Sequence, residues 1–183
     1  MALIKLNATR GLEGALPAVS GASLTGVSAG KILQVKQTVR TDTFSTSSTS
    51  FTGAGMSVSI TPASASNKIF CMFDIVGGPG NNVSMFLRLV RGSTVIHVGD
   101  SAGGRYQATA GASDDPSSQF PLQMSGSVLD SPNTTSSTDY YIQMATEGSG
   151  NTGTCYINRS AEDSNDNQNG RYASSITVME VEA

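Results

Sequence analysis

The sequence predicts an all-β fold, with an antiparallel β-sandwich or jelly-roll-like module that follows an extended N-terminal arm. Ser and Thr make up roughly a quarter of the chain, a composition that leaves few good helix formers and favours strands and turns. From residue 31 onward, short segments alternate apolar and polar residues, which is the period of a strand. Clusters of Gly, Pro, Asn and Ser separate these segments, and no helical period intervenes.

The first 30 residues differ from the rest of the chain. They show neither a strand period nor a helix period, and Pro17 and several glycines disfavour a long helix. The segment still contains too many large apolar residues for a freely solvated linker. These residues are Leu3, Leu6, Leu12, Leu16, Val19, Leu24 and Val27. We therefore predict that residues 1–30 form an extended docking arm and that residues 31–183 form a β-sandwich module.

The first strands of this module are predicted directly after the arm. Residues 31–40 alternate apolar and polar side chains, and residues 56–60 repeat the pattern before Pro62 ends the segment. Residues 68–76 are apolar on both faces, which is typical of a central strand in a sandwich. The Gly, Pro and Asn residues at 77–82 then predict a turn.

Further strand patterns follow in the second half of the chain. They occur at residues 84–91, 94–98, 120–124, 140–145, 154–158 and 175–181. Gly92-Ser93 separates the first two so closely that we predict a hairpin. In the last segment, Ile176 and Val178 lie on one face while Met179 and Val181 lie on the other. A total of about eight or nine short strands indicates a sandwich, a jelly roll or a similar antiparallel fold.

Charge and hydropathy exclude several classes of partner. Charged residues make up 14% of the chain, whereas about 25% is usual, and the net charge is −3 with scattered Lys and Arg, so we expect no nucleic-acid ligand. No apolar run approaches the length of about 20 residues that a membrane span needs, and the N-terminus lacks the pattern of a signal peptide. We expect a soluble protein made in the cytoplasm, in which Cys71 and Cys155 are small buried hydrophobic residues.

The residues needed for hydrolytic chemistry are sparse. The single histidine, His97, lies three residues before Asp100, but such a pair arises easily by chance in a Ser-rich chain. We interpret His97 as a half-exposed residue at the end of a strand or hairpin. The acids available for glycan hydrolysis mostly lie in turn-like contexts; they are Asp114, Asp115, Asp130, Asp139, Glu162 and Asp163. The chain has no Trp to form a sugar-stacking platform. We therefore predict no enzymatic activity, no catalytic residues and no cofactor.

The most polar segment lies between residues 161 and 170. Asp163, Asn165 and Asn167 match the opening of a calcium-binding loop. Gln168 stands where the loop needs glycine, and Ser174 stands where it needs the closing glutamate. We predict a solvated hairpin loop and no metal site, and the sequence leaves open whether the Asp163–Gly170 loop binds a cation.

Several phrases in the β module occur in a characteristic order. They are Thr41–Thr46 with the Ser/Thr run behind it, Ser57–Pro62, Phe86–Gly92, Leu129–Pro132 and Ile176–Val181. This order, from about residue 30 to the C-terminus, resembles small virion structural proteins of aquatic bacteriophages such as cyanophages, which are often labelled tail-fibre or fibre-like proteins. The arm segment Ala15–Val27 is similar to connecting segments near the start of phage fibres.

The resemblance implies an oligomeric, commonly trimeric, component of the virion exterior. Such a protein is assembled in the bacterial host cytoplasm, docks on other virion proteins of the tail or capsid, and contributes to host adhesion. One alternative is a capsid decoration or cement protein with the same architecture, whose arm bridges shell subunits. A second alternative is a carbohydrate-binding receptor module, in which the loops at 102–118 and 147–153 contact a host-surface glycan. The sequence leaves the tail or capsid location, the host receptor and the number of subunits open.

Overall fold

The structure is a computed structural model that describes residues 31–80, 83–113, 121–147, 153–167 and 169–183. These residues form eleven strands and no helix. The strands are β1 (Ile32–Arg40), β2 (Phe44–Thr46), β3 (Thr52–Ile60), β4 (Lys68–Pro79), β5 (Ser84–Arg91), β6 (Thr94–Ile96), β7 (Ala110–Ser113), β8 (Leu122–Asp130), β9 (Thr138–Thr146), β10 (Cys155–Ile157) and β11 (Ser174–Val181). The predicted all-β class is confirmed.

Sheet A is built around the long strand β4. Strand β8 pairs along one edge of β4, and β11 and then β10 pair along the other edge. Gly77 shows this arrangement directly, because it pairs with Leu122 of β8 on one side and with Ile157 of β10 on the other. Strands β1 and β2 add outside β11 and β10 respectively. Sheet A therefore has four strand positions. Strands β8 and β4 fill one position each, β11 and β10 share the third, and β1 and β2 share the fourth.

Sheet B has the order β3, β9, β5, with β6 and β7 sharing the outer edge of β5. Every pairing in both sheets is antiparallel. The chain crosses between the sheets at β3, β4, β5, β8, β9 and β10, so strands that are consecutive in sequence often lie in opposite sheets. The two antiparallel sheets pack as a β-sandwich, as the sequence predicted, and their connectivity is consistent with a jelly roll, one of the alternatives that the sequence left open.

The core lies between the inner faces of the two sheets. Its largest fully buried side chains are Tyr140, Met56, Ile60, Ile69, Ile75, Met85, Leu87, Leu89, Ile142, Met144, Ile157 and Ile176. Cys71 and Cys155 are buried in the same core as free thiols, as predicted. Burial raises the pKa of the Cys155 thiol to about 12 and also raises that of Cys71, so both remain protonated and unreactive.

Most predicted strands are present, and the differences have local causes. The predicted hairpin forms at Gly92, which has a φ of 54° that glycine adopts at little cost. Strands β2 and β7 were missed because they are short and rich in small or polar residues. Strand β8 extends to Asp130, well beyond the predicted end at residue 124, because pairing with β4 extends it through Ser125-Gly126-Ser127.

Strand β1 directs Thr38 and Arg40 toward sheet B, where they cover the free edge of β3. Thr38 Oγ1 donates a hydrogen bond of 2.7 Å to the Ser57 carbonyl, and Arg40 Nη1 donates one of 2.8 Å to the Gly55 carbonyl. A side chain at Gly55 would collide with the Arg40 guanidinium, and the φ of 67° at Gly55 also favours glycine. These bonds occupy carbonyls that an edge strand would otherwise present to another chain.

A buried asparagine joins the short strands of sheet A. Strand β11 pairs with β4 only as far as Asp74, and β10 pairs with β4 only from Gly77. At Val76, between them, the backbone N–H donates to Ser174 Oγ at 3.0 Å and the carbonyl accepts from the Asn158 backbone N–H at 2.8 Å. Side-chain and loop groups therefore replace the missing ladder bonds.

The Asn158 side chain extends the same junction to the outer strands. Its Nδ2 donates to the carbonyls of Arg40 and Asp42 at 2.9 and 3.0 Å, and its Oδ1 accepts from Ser174 Oγ at 2.6 Å. Asn158 is fully buried and has a φ of 63°, a conformation that asparagine tolerates better than most residues. One residue thus connects β1, the loop between β1 and β2, β4 and β11.

We expect Asn158→Ala to lower the free energy of unfolding by about 3 kcal/mol, because buried hydrogen-bonding groups lose their partners and alanine disfavours the left-handed backbone. Chemical denaturation followed by far-UV circular dichroism measures this change. Asn133→Ala is the matched control, since Asn133 is exposed and has a φ of 53°. The control should lower the free energy of unfolding only by the backbone contribution, about 1 kcal/mol. Equal losses in the two variants would contradict the role of the Asn158 side chain.

Candidate interaction surface

The exposed large apolar side chains of the described residues all belong to sheet A. They are Ile32, Leu33, Val35, Val39, Met72, Leu122 and Leu129, from strands β1, β4 and β8. An isolated exposed hydrophobic residue needs no explanation, but a group on one sheet marks an interaction surface. In the strand register, five of these residues share the face that points away from sheet B: Ile32, Val35, Val39, Met72 and Leu129. We therefore consider the outer face of sheet A as the candidate functional surface.

The strand register aligns four apolar side chains across this face. Val35 pairs with Met179, Met179 with Phe70, and Phe70 with Leu129, so the four residues cross all four strand positions. We call these residues the apolar row. Val35 and Leu129, at its two ends, are 53% and 55% exposed. Met72 lies next to the row on β4 and is 41% exposed.

The face becomes polar beyond the apolar row. The next row contains Gln37, Thr177, Met72 and Ser127, and Gln37 Nε2 donates to Thr177 Oγ1 at 2.9 Å. Behind it a shallow depression of about 290 Å³ is lined in part by Ser125 and Asp74. The face therefore consists of an apolar band beside a band of hydroxyl and amide groups.

The charged groups on this face have partners within the chain. Gln123 Nε2 donates to both carboxylate oxygens of Asp74, at 2.9 and 2.7 Å. Lys68 Nζ donates to Ser131 Oγ at 2.7 Å. The apolar band is thus flanked by groups that are already hydrogen-bonded within the module.

The outer face of sheet B is different, because its own loops cover it. Tyr106 stacks on Phe86 with ring centroids 4.7 Å apart, and its hydroxyl donates to the Thr49 carbonyl at 2.8 Å. Phe51 meets the edge of the Tyr106 ring, and the Arg88 guanidinium lies 4.1 Å from the centroid of Phe51. The aromatic groups of sheet B are therefore packed within the chain, whereas the residues that the structure describes leave the apolar row of sheet A exposed.

The arm joins the module at one end of this surface. The Lys31 carbonyl accepts a hydrogen bond of 3.0 Å from the Glu182 N–H, so the start of β1 and the C-terminus lie together. The predicted arm residues lie outside the described part of the chain; they are Leu3, Leu6, Leu12, Leu16, Val19, Leu24 and Val27. The docking role of these residues stays a prediction.

The residues considered for hydrolytic chemistry are dispersed. His97 is exposed directly after β6 with a φ of 55°, near the strand end where it was predicted. Asp130 accepts two hydrogen bonds from Arg91 Nη1, at 2.7 and 2.8 Å, and one of 2.7 Å from the Tyr140 hydroxyl. Asp139 accepts a hydrogen bond from Ser59 Oγ. Asp114 and Asp115 lie outside the described residues.

The Arg91–Asp130–Tyr140 network joins the two sheets. Arg91 and Tyr140 belong to β5 and β9 of sheet B, while Asp130 ends β8 of sheet A. Burial, together with the hydrogen bond to Asp130, raises the pKa of the Tyr140 hydroxyl, so Tyr140 stays protonated and acts as a donor. The network fixes β8 against sheet B, and Leu129 consequently projects from the opposite face.

The candidate cation loop satisfies its polar groups internally. Both carboxylate oxygens of Asp163 form ion pairs, one with Arg159 and the other with Arg171. Asn169 Nδ2 donates to Ser164 Oγ and Asp166 Oδ1. In the described part of the chain, no group of three or more His, Cys, Asp or Glu residues could hold a metal ion. Asp163, the first ligand of the predicted calcium pattern, is therefore engaged by arginine.

Comparison with known proteins does not assign the chain to a family. No protein-family model matches it, and no curated protein matches it significantly. Across the residues that the structure describes, no helix has the length and apolar character needed to span a membrane.

Sequence reasoning did not identify the apolar row as a surface. The sequence of residues 68–76 contained an indication of this surface, because the segment is apolar on both faces of the predicted strand. The inner half of this segment, including Ile69 and Cys71, enters the core, while Phe70 and Met72 lie on the outer face. An apolar strand with one face in a filled core indicates a second contact on its other face.

A buried carboxylate fixes the end of sheet A at which the arm begins. Glu180 is fully buried, and it accepts hydrogen bonds from Gln34 Nε2 at 2.6 Å, Asn67 Nδ2 at 2.6 Å and the Ala63 N–H at 2.7 Å. Burial alone would raise the pKa of this carboxyl, but these hydrogen bonds and one from the Ser64 backbone outweigh it and hold the pKa below its ordinary value.

We expect Glu180→Gln to lower the free energy of unfolding by about 2 kcal/mol at pH 7, because an amide offers one acceptor oxygen to several buried donors. The depressed pKa means that wild-type Glu180 stabilises the fold above its ordinary pKa of 4.5. This advantage is lost as the pH falls through the folded-state pKa. Urea denaturation of both proteins from pH 7 to pH 3 measures the difference.

Glu182→Gln is the control, since the Glu182 side chain takes part in an exposed 3.7 Å ion pair with Lys31. It should change the free energy of unfolding by less than about 0.5 kcal/mol. The free energies of unfolding of wild type and Glu180→Gln should converge on acidification. A difference that instead grows as the pH falls would contradict the lowered pKa of Glu180.

Proposed function

We propose that this chain is a non-enzymatic structural protein of a bacteriophage virion. It forms an exterior, fibre-like component that docks through residues 1–30 and presents the β module outward, where it contributes to host adhesion. The observation that carries this proposal is that five exposed large apolar side chains share the outer face of sheet A: Ile32, Val35, Val39, Met72 and Leu129. A surface of this kind favours function by association with protein partners.

The disposition of polar groups supports the same proposal. Catalysis needs titratable groups that face a common cavity and remain available to a substrate. The partly buried Asp130 and the fully buried Glu180 are instead held by hydrogen bonds within the fold. Their geometry is typical of structural anchors.

The position of the chain ends supports docking by the arm. Residues 1–30 connect to β1 at the end of sheet A where the C-terminus also lies, as the Lys31–Glu182 contacts define. The opposite end of the module, where β4 ends at Pro79 and β5 begins at Ser84, then faces outward. The capsid decoration alternative uses the same arrangement, and imaging of antibody-labelled particles by electron microscopy distinguishes tail from capsid.

We expect serine substitution of three apolar arm residues, Leu12, Leu16 and Val19, to reduce incorporation into virions about tenfold or more, because each loses apolar contact area with its docking partner. Quantitative mass spectrometry of purified particles measures incorporation. The thermal unfolding midpoint should stay within about 2 °C of wild type, since the arm lies outside the β module.

The matched control for the arm changes polar residues of the same segment, Ser20, Ser23 and Thr25, to Ala. This variant should incorporate at the wild-type level. Equal incorporation of both variants would show that the apolar arm residues are not the anchor.

We expect His97→Asn to leave particle assembly and infectivity unchanged. Asparagine tolerates the left-handed backbone at this position, so the substitution tests the imidazole with little added strain. Assembly, infectivity and release of products from host-surface polysaccharide are measured in parallel. Selective loss of polysaccharide cleavage in an otherwise normal particle would replace the structural proposal with an enzymatic one.

A further inference from the structure

We infer that the outer face of sheet A is the interface through which identical copies of this chain associate, with the apolar row at its centre. The inference deepens the proposed function and rests on it for the expectation of three copies. The occupant of the face is therefore a second copy of this chain, and three observations favour this occupant over the arm or an unrelated protein.

The first observation is the spacing of the apolar row. Val35, Met179, Phe70 and Leu129 lie on adjacent strands, so neighbouring side chains are about 4.8 Å apart. An extended segment laid across them would present side chains on one face only every 6.6–6.8 Å or so. The arm also lacks a two-residue apolar period. The same row on another copy has the matching spacing.

The second observation is the charge of the face. Around a symmetry axis, a residue meets its own copies or its near neighbours, so an uncompensated charge would face like charge. The apolar row itself contains no charged side chain, and the charged residues of β4 on this face, Lys68 and Asp74, lie on either side of the row. The apolar band can therefore approach a copy of itself without like-charge repulsion at its centre.

The third observation is the size of the face. Four strands at about 4.8 Å and eight residues at about 3.4 Å give a face of about 19 by 27 Å in projection. The accessible area of its corrugated side chains is larger, and specific interfaces bury about 800 Å² per partner. An apolar centre beside a hydroxyl-rich band is also the usual anatomy of an interface between subunits.

Association through this face also positions the arms. The start of β1 and the C-terminus lie at one end of sheet A, where the Glu182 N–H bonds the Lys31 carbonyl. Copies that share an axis parallel to the strands would extend their arms from the same end of the assembly. Several arms then dock together, which strengthens attachment through multivalency.

The test uses the full chain with Val35→Lys and Leu129→Lys, singly and together. We expect the wild-type protein to have about three times the chain mass of 18.8 kDa in light scattering at micromolar concentration. Each lysine should raise the dissociation constant about thirtyfold or more, and the double variant should have the mass of one chain. Both residues are more than half exposed, so circular dichroism and the unfolding midpoint should remain those of the wild-type fold.

Ser57→Lys is the matched control, because Ser57 is exposed on the outer face of sheet B. It should leave the oligomer unchanged. A wild-type oligomer that persists in the double lysine variant would overturn the inference, as would a wild-type protein that has the mass of one chain. Dissociation of the Ser57→Lys variant to the same extent would also overturn it.

A second measurement identifies what covers the face. Because Cys71 and Cys155 are buried, a Leu129→Cys variant carries one accessible reporter thiol in the described module. Protection of this thiol from maleimide that disappears on dilution supports a second copy. Protection that persists in a single chain would assign the face to the arm and overturn the inference. The particle-incorporation assay tests the proposed function independently of the interface. A chain that is monomeric but still enters virions would overturn the inferred interface and leave the proposed function in place.

Discussion

The junction at Val76 is the constraint on which sheet A depends. Two short strands, β10 and β11, share one edge of β4, and without a connection between them the sheet would have an unpaired gap at its centre. Asn158 and Ser174 fill this gap, and the Asn158 amide also binds the carbonyls at the end of β1 and before β2. A continuous four-strand face exists because these buried polar groups are fully satisfied.

The continuity of sheet A has opposite consequences for its two faces. The inner face packs against sheet B and is closed at the β1 edge by Thr38 and Arg40, which bind the backbone of β3. Among the described residues, no loop crosses the outer face in the way that the loop carrying Tyr106 crosses sheet B. The same strand pairing that completes the core therefore aligns apolar side chains on a surface that the described residues leave open.

The ionic groups make this surface rigid. Asp130 and Leu129 are neighbours on β8 and point to opposite faces, so the bonds from Arg91 and Tyr140 to Asp130 also fix the position of Leu129. Glu180 does the same for Met179 at the other side of β4, because its carboxylate is held by Gln34 and Asn67. Preorganised side chains lose little entropy on association, which suits a protein whose proposed role is assembly.

The sequence by itself determined the strand class, the central position of residues 68–76, the hairpin at Gly92 and the burial of both cysteines, because strand periodicity and turn chemistry are local properties. It could not decide which face of a strand is buried. The alternation of apolar and polar residues at 31–40 correctly predicts a strand. However, β1 turns Thr38 and Arg40 toward sheet B and leaves Val35 exposed. It also could not find β2 and β7, or the alignment of Val35, Met179, Phe70 and Leu129. Those features arise from register between strands far apart in sequence, which only the tertiary structure decided, since a period of two is the same for either face.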